Sequence, residues 1–320
     1  MLSRTADHLY WMARYTERAE NTARMLDVAL QTSMLPQSAI ETEQAWRAML
    51  GISELQGAFD AKYVSLDVRN VLDFMVRDPS NPSSIVACLT AARENARAVR
   101  GVLTTEVWET QNATWLELRE RAAASVDPSE FFEWVKHRCH LSRGVTLGTM
   151  LTDEAMYFIR LGTFLERADS TARLLDVKYH RARGGLSQSA TSSEQEMLTQ
   201  REFYYWAALL RSVAGFEIYR KVYRDSVTPA RVAELLMLRA DMPRSLLACM
   251  EQVVANLKAV RNDVSAETER LAGKMHAELQ FARIEDILAA GLDATLDRFM
   301  KNVYALGNGI SRDFLVPLGA

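Results

Sequence analysis

The 320-residue chain has 48% hydrophobic and 25% charged residues, which is typical of a globular protein large enough to fold without metals or disulfides. Its 38 basic and 41 acidic residues give a net charge of −3 with no block of like charge, so the sequence predicts no nucleic-acid partner. A charged N-terminus in place of a signal peptide, and no run of about 18 apolar residues, predict a soluble cytoplasmic protein without membrane contact.

The first predicted element is one helix over residues 3–33, where helical periodicity continues without a Gly or Pro. Ser3 is its predicted N-cap, and Pro36 marks its exit. A second helical pattern covers about 43–63, and a shorter one covers 67–76 before a turn that contains two prolines.

A long helix is then predicted from Ser83 or Ser84 toward Ala124, because this segment is rich in strong helix formers. Asp127-Pro128 ends it and starts the next helix, which reaches about Leu141. All seven prolines lie between the periodic segments or in the tail, and no alternating run bounded by hairpin turns occurs. The predicted fold class is all-α.

The chain contains an internal repeat. Residues 17–28, ERAENTARMLDV, recur as 166–177, ERADSTARLLDV, with nine of twelve positions identical. The match extends over 1–28 and 150–177 with a constant offset of 149, and it resumes after an insertion of 11 residues.

Two tandem, diverged copies of one helical unit of about 150 residues, 1–149 and 150–320, are therefore predicted. Because both copies present similar apolar faces, we expect them to pack about a pseudo-two-fold axis into a single helical-bundle domain. The insertion falls near 181–193, a stretch of linker composition, which predicts a mobile loop within the second copy.

Equivalent positions of the repeat predict shared core residues. Trp46 aligns with Trp206, and both are expected to anchor the core. Cys88 aligns with Cys249 in an apolar helical segment, where a buried cysteine behaves as a small hydrophobe. The three cysteines are too scattered for a disulfide framework, so we expect free thiols.

The repeated segment carries a charged stripe. At 100° per residue, Glu17, Glu20, Arg24 and Asp27 fall within one narrow arc of a helix. The first interpretation is a solvated face, in which neighbouring charges of one helix form pairs worth about 0.3–0.5 kcal/mol each. On a solvated face the sequences of the two copies would diverge freely, so their near identity at this stripe argues against this interpretation.

The second interpretation is structural. The two copies of the helix approach each other and their charges interlock, so that removing one partner strands a buried charge. The expected pairs are Glu17 with Arg167 or Arg173, and Glu166 with Arg18 or Arg24.

The third interpretation is functional, with the stripe forming the floor of a cleft. Glu17 and Glu166 are then the candidate catalytic acid and base, and arginines hold an anionic group through their guanidinium forks. The candidate binding residues are Arg18, Arg24, Asp27, Arg167, Arg173 and Asp176.

A metal site is not predicted. Glu133, His137 and His140 share one helix face, but the equivalent positions of the second copy carry no set of ligands. Neither a glycine-rich phosphate loop nor a nucleophile elbow is present, and no cofactor is expected.

The stripe also carries a resemblance to a known family. The segments from Glu17 and from Glu166, together with Leu9-Tyr10-Trp11 and Leu161-Gly162 before them, resemble the bacterial alpha-E family over essentially the whole chain. Met242-Pro243 stands where that pattern has an Asn-Pro-like or Phe-Pro-like turn. The resemblance implies one all-helical alpha-E-like domain whose partners are a circularly permuted ATP-grasp protein and a transglutaminase-like peptidase.

The leading functional hypothesis is an accessory or scaffold protein of an ATP-grasp-type, amide-forming ligase system, in which the stripe forms a central ion network or cleft. The alternative is an enzyme that itself acts on an amide or amino-acid-like substrate through Glu17 and Glu166. A third possibility is an interaction module without chemistry of its own.

Overall fold

The computed structural model describes residues 1–34, 39–123, 127–184 and 203–315. Within these ranges every regular element is an α-helix, which confirms the predicted all-α class. The helices are α1 (Ser3–Ser33), α2 (Ala39–Ile52), α3 (Gln56–Asp60), α4 (Val68–Val76), α5 (Ile85–Ala98), α6 (Thr105–Ala123), α7 (Pro128–Thr149), α8 (Glu154–Gly184), α9 (described over 203–212), α10 (Phe216–Tyr223), α11 (Pro229–Leu238), α12 (Leu246–Ala259), α13 (Ala266–Gln280), α14 (Ile284–Ala290) and α15 (Leu292–Phe314).

Several helix starts follow local capping chemistry, and that of α1 does not. Asp67, Ser84 and Asp127 each accept a hydrogen bond from the backbone N–H three residues later, so the starts of α4, α5 and α7 lie where the sequence predicts them. The bounds of α1 also match the prediction, but its N-cap is Leu2, which has no side-chain oxygen. The predicted Ser3 cap is therefore wrong, because Ser3 is already the first helical residue.

Two predicted helices are each broken into two. The pattern over 43–63 covers most of α2, which begins earlier than predicted, and all of α3. Glu54 between them adopts a left-handed φ of 55° that interrupts the helix. The long helix predicted to run toward residue 124 is interrupted after Ala98, so that α6 turns back and packs against α5. In contrast, α7 continues to Thr149, well past the predicted end.

The core is organised around α1 and α8. α1 packs most extensively against α8 and also contacts α5 and α7, while α8 packs against α12 and α15. The small side chains of the repeated segment have no exposed surface, which allows both helices to lie deep in the bundle: Ala19, Ala23, Ala168 and Ala172.

The aligned core residues are buried as predicted. Trp46 and Trp206 are 1% and 0% exposed. Cys88 and Cys249 are buried free thiols, and burial raises the pKa of each to about 12. These thiols are inert core residues, because the reactive thiolate is not formed near neutral pH.

The predicted loop near 181–193 is described only in part. Residues 181–184 belong to α8, and 185–193 lie outside the described residues, as does Pro36. Among the helices that the structure describes, none combines the length and the apolar character needed to cross a lipid bilayer.

The contact between α1 and α8 depends on a glycine. A Cβ atom at Gly162 would lie 2.3 Å from the backbone carbonyl oxygen of Tyr10. We therefore expect Gly162→Ala to lower the free energy of unfolding by about 1–3 kcal/mol, because one backbone must move away from the other. Urea unfolding followed by circular dichroism measures this loss.

Gly144 in α7 provides the matched control. A Cβ atom there meets no other atom within 4 Å. Gly144→Ala should raise the free energy of unfolding by about 0.5–1 kcal/mol, because alanine favours the helix. Equal stability of the two alanine variants would contradict the close approach of α1 and α8.

Candidate functional site

The glutamates of the charged stripe lie in the protein interior. Glu17 and Glu20 on α1 are 1% and 0% exposed, and Glu166 on α8 is 5% exposed. The interpretation of the stripe as a solvated face is therefore wrong. Each buried carboxylate requires a cation or hydrogen-bond donors, because a charge removed from water without a partner is costly.

Glu17 accepts four hydrogen bonds from three arginines. Arg167 of α8 binds it with two arms, with Nε 2.8 Å from Oε1 and Nη2 3.0 Å from Oε2. Arg143 of α7 donates to Oε2 at 2.9 Å, and Arg244, just before α12, donates to Oε1 at 3.1 Å. A carboxylate has about four lone-pair sites, so those of Glu17 are all occupied.

Glu166 is bound in a reciprocal way by arginines of α1. Arg18 binds it with two arms, with Nε 2.6 Å from Oε1 and Nη2 3.1 Å from Oε2. Arg14 donates from Nε to Oε2 at 2.7 Å. The predicted interlocking pairs Glu17 with Arg167 and Glu166 with Arg18 are therefore confirmed.

Glu20 forms a second fully occupied carboxylate beside Glu17. Its Oε1 lies 2.6 Å from Arg244 Nη2, 2.8 Å from Arg24 Nη2 and 3.2 Å from His140 Nε2, and its Oε2 accepts from Arg143. Arg143 and Arg244 thus each join both glutamates. Glu17, Glu20 and the four arginines around them, Arg24, Arg143, Arg167 and Arg244, form what we call the Glu17 cluster.

The arginines keep the glutamates ionised despite burial. Burial alone would raise the pKa of Glu166, but Arg14 and Arg18 outweigh it and lower the pKa to about 2. Burial likewise opposes ionisation of Glu17, yet Arg167 and Arg244 hold its pKa below the ordinary value. These acids are therefore carboxylates throughout the physiological pH range.

Arg244 is a buried cation of the Glu17 cluster, and its side chain is 10% exposed. Burial lowers the pKa of its guanidinium, although Glu17 and Glu20 oppose this change. The group remains charged, because the ordinary pKa of arginine is above 12. Its backbone carbonyl oxygen accepts a hydrogen bond from Thr171 Oγ1 at 3.0 Å, which ties the turn before α12 to α8.

The other predicted site residues lie apart from the interlocking pairs. Arg24 and Arg173 do not reach across to the opposite helix, because each binds the acid one turn earlier on its own helix, Glu20 at 2.8 Å and Asp169 at 2.9 Å. Two further candidates lie near the ends of the same helices. Asp27 binds Lys136 Nζ at 2.8 Å, and Asp176 is half-buried on α8.

Three arginines of the site were not predicted. Arg14 is one helical turn before Arg18 and faces the same way, so the spacing could have revealed it. Arg143 lies past the predicted end of its helix, and Arg244 lies in a turn. Neither of these two carries a local signal, since only the packing of distant segments brings them to Glu17.

The site does not have the donor set of a metal centre. His140 binds Glu20, and Glu133 binds Lys136 Nζ at 2.6 Å, so the face considered in the sequence has other contacts. In the described ranges, no group of three His, Cys, Asp or Glu side chains is placed to hold a metal ion. The Glu17 cluster instead consists of two glutamates and four arginines, so its nominal charge is positive.

The comparison with family models identifies a family whose description includes a Glu-Arg motif. A model described as Alpha-E, a predicted alpha-helical domain with a conserved ER motif, matches residues 1–315. The chain belongs to the Alpha-E family. The two Glu-Arg pairs of the site, Glu17-Arg18 and Glu166-Arg167, have the two letters of that motif.

This Alpha-E chain is similar to two uncharacterized proteins, one of Mycobacterium bovis and one of Mycobacterium tuberculosis. Each is 26% identical over 332 residues. The alignment covers 94% of this chain and 35% of each relative, so the chain spans about a third of the length of the curated relatives it matches. No solved structure matches the chain.

Removal of one charge from the Glu17 cluster should strongly destabilise this Alpha-E chain. We expect Glu17→Gln to lower the free energy of unfolding by about 3–5 kcal/mol, because buried arginines lose their counter-charge. The control is Glu43→Gln, which breaks an exposed pair with Arg47 and should cost less than about 0.5 kcal/mol. Similar melting temperatures for the two variants would show that the network is not essential for folding.

Glu166 should make stability depend on pH. Its pKa falls from 4.5 to about 2 on folding, so the unfolded chain takes up the proton first as the pH decreases. The stabilisation is complete above about pH 4.5 and is lost toward pH 2, with a slope of up to about 1.4 kcal/mol per pH unit. Asp169 gives an opposite contribution, because burial raises its pKa.

We expect Glu166→Gln to reduce this slope when the free energy of unfolding is measured in urea between pH 5 and pH 3. The slope is the readout, so the lower absolute stability of the variant does not affect the test. Parallel pH dependence in the variant and the wild type would contradict the assignment.

Proposed function

We propose that this protein is a non-catalytic accessory or scaffold subunit of an amide-forming system that contains an ATP-grasp-type ligase. The observation that supports this role is the complete hydrogen-bonding of Glu17, whose two oxygens accept four bonds from arginines. A side chain in this state fixes the positions of helices and has no lone pair left for a substrate proton.

The pKa values also favour the accessory role over the enzymatic alternative. An effective general acid or base has a pKa near the working pH. The pKa values of Glu17 and Glu166 are instead lowered by arginines of the opposite helix, and that of Glu166 is about 2. Both carboxylates are thus poor proton carriers, and we assign them to the architecture of the scaffold.

We also propose that the chain is a duplication whose two copies are related by a pseudo-two-fold axis. The reciprocal ion pairs between α1 and α8 support this relation, and so do the further contacts of Arg18 and Arg167. Arg18 Nη1 lies 3.5 Å from the Oγ atom of Ser83, a residue that directly follows a proline. Arg167 Nη1 lies 3.4 Å from the carbonyl oxygen of Pro243. In this arrangement each Glu-Arg helix holds the turn before a helix of its own copy.

The ligase partner follows from the resemblance to the alpha-E family and is supported by the length of the relatives. The curated relatives are about three times as long as the segment that matches this chain. A unit that is part of a longer protein is suited to work beside another domain. We propose the circularly permuted ATP-grasp protein as that neighbour, with the transglutaminase-like peptidase acting in the same system.

A reconstitution tests the accessory role. The ATP-grasp protein of the same organism is assayed for ATP-dependent amide formation with and without this chain, by ADP release and by mass spectrometry of the product. We expect the rate to fall at least tenfold when this chain is omitted, and the isolated chain to turn over neither substrate nor product. An unchanged rate without the chain would refute the accessory role.

A variant separates the scaffold from the enzyme. Glu166→Gln is assayed at a temperature well below its own melting midpoint, where most of the protein is folded. In the scaffold interpretation the amide output follows the folded fraction. Loss of output from fully folded Glu166→Gln would favour the enzymatic alternative.

A further inference from the structure

A cavity opens beside the Glu17 cluster, between α1, α6, α7 and α8. Its volume is about 110 Å³. Three arginines contribute to its lining, Arg143, Arg160 and Arg167, together with Glu17. Most of the remaining lining surface is apolar and comes from residues such as Met12 and Phe164.

The charges that line this cavity do not balance. Three guanidinium groups and one carboxylate line the cavity; Arg143 and Arg167 donate to that carboxylate, Glu17, and Arg143 also pairs with Glu20, which lies outside the lining. Arg160 is half-buried and makes no ion pair with any residue in the described parts of the chain. The half-buried guanidinium of Arg160 therefore lacks a counter-charge within the described residues, so the cavity favours an anionic occupant.

Some hydrogen-bond donors that line the cavity have no acceptor among the described residues. Arg143 binds Glu17 and Glu20 through Nη2, which leaves Nε and Nη1 without a partner among the described residues. Its side chain is 32% exposed, so it lies at the mouth of the cavity. Ser142 Oγ accepts from Gln111 Nε2 at 2.9 Å, and no acceptor in the described ranges takes its own proton.

The threonines of the cavity cannot act as donors. Thr16, Thr146 and Thr163 each donate their hydroxyl proton to the backbone carbonyl four residues earlier. An anion would therefore be bound by arginines and by Ser142 at one part of the lining. The apolar surface elsewhere requires a ligand with a hydrocarbon body, which excludes a fully polar anion such as free phosphate as the best fit.

The volume sets the size of the ligand. A cavity needs about 10–15 Å³, measured in the same way, to hold one water molecule. At that volume for each heavy atom, this cavity holds roughly seven to eleven heavy atoms. This is the size of a short fatty acid or of an amino acid. Cys139 also lines the cavity, but burial raises the pKa of its thiol well above the ordinary value, so the cavity is suited to binding and not to thiol chemistry.

We propose that this cavity is a binding site for a small organic carboxylate with a short aliphatic body. Its carboxylate pairs with Arg160 and with the free arms of Arg143, and its hydrocarbon part packs on the apolar lining. The site is independent of the proposed accessory role, because it requires neither the ligase nor proton transfer by Glu17.

Calorimetric titration of the full chain with hexanoate tests the proposal. Hexanoate has eight heavy atoms and therefore fits the estimated size, and hexanamide is its neutral analogue. We expect hexanoate to bind at least about tenfold more tightly than hexanamide, because charge-assisted hydrogen bonds are lost in the amide. Inorganic phosphate should bind more weakly than hexanoate, and tighter binding of phosphate would overturn the proposed ligand class.

Two variants locate the binding. Arg160→Gln removes a cation that holds no ion pair in the described structure, so the fold should be retained, and hexanoate affinity should fall by about tenfold or more. Arg100→Gln is the control, because Arg100 is exposed in the turn between α5 and α6, outside the cavity lining. Undetectable hexanoate binding by the wild type, or equal affinity of both variants, would overturn the site.

Discussion

The placement of carboxylates away from water is the constraint on which this structure depends. Glu17 of α1 and Glu166 of α8 are buried, and each is neutralised chiefly by arginines of the opposite helix. Such pairs add little net stability, because desolvation offsets the attraction, but a misplaced partner is very unfavourable. The network therefore acts mainly by selecting one register of α1 against α8, since a rotation of 100° per residue would separate every pair.

The same constraint extends to distant parts of the chain. Glu17 and Glu20 lie side by side on α1. The single positive charge of Arg167 from α8 is insufficient to neutralise both. Arg143 from α7 and Arg244 from the turn before α12 each join these two acids, so four segments meet at one cluster. Arg143 and Arg167 of this cluster also line the adjacent cavity, where Arg160 adds a positive charge without an ion pair in the described structure, and this is the basis for the proposed anionic ligand.

Much of the central contact could be predicted because the chain repeats its own charged segment. Near identity between residues 17–28 and 166–177 indicated a shared environment, and the pairs Glu17 with Arg167 and Glu166 with Arg18 followed from it. The helix breaks after Ile52 and after Ala98 were missed. Periodicity continues across a chain reversal, so a pattern of apolar residues does not show where the helix direction changes.

The sequence by itself determined the helical class, the bounds of α1 and the identity of the two helices that meet, because these depend on local propensity and on a repeated pattern. Only the tertiary structure decided that the stripe is buried and which arginines complete it. Arg143 and Arg244 are 126 and 227 residues from Glu17 along the chain, and no local rule connects positions so far apart. The cavity likewise exists only because four helices, α1, α6, α7 and α8, pack with a gap that no single segment encodes.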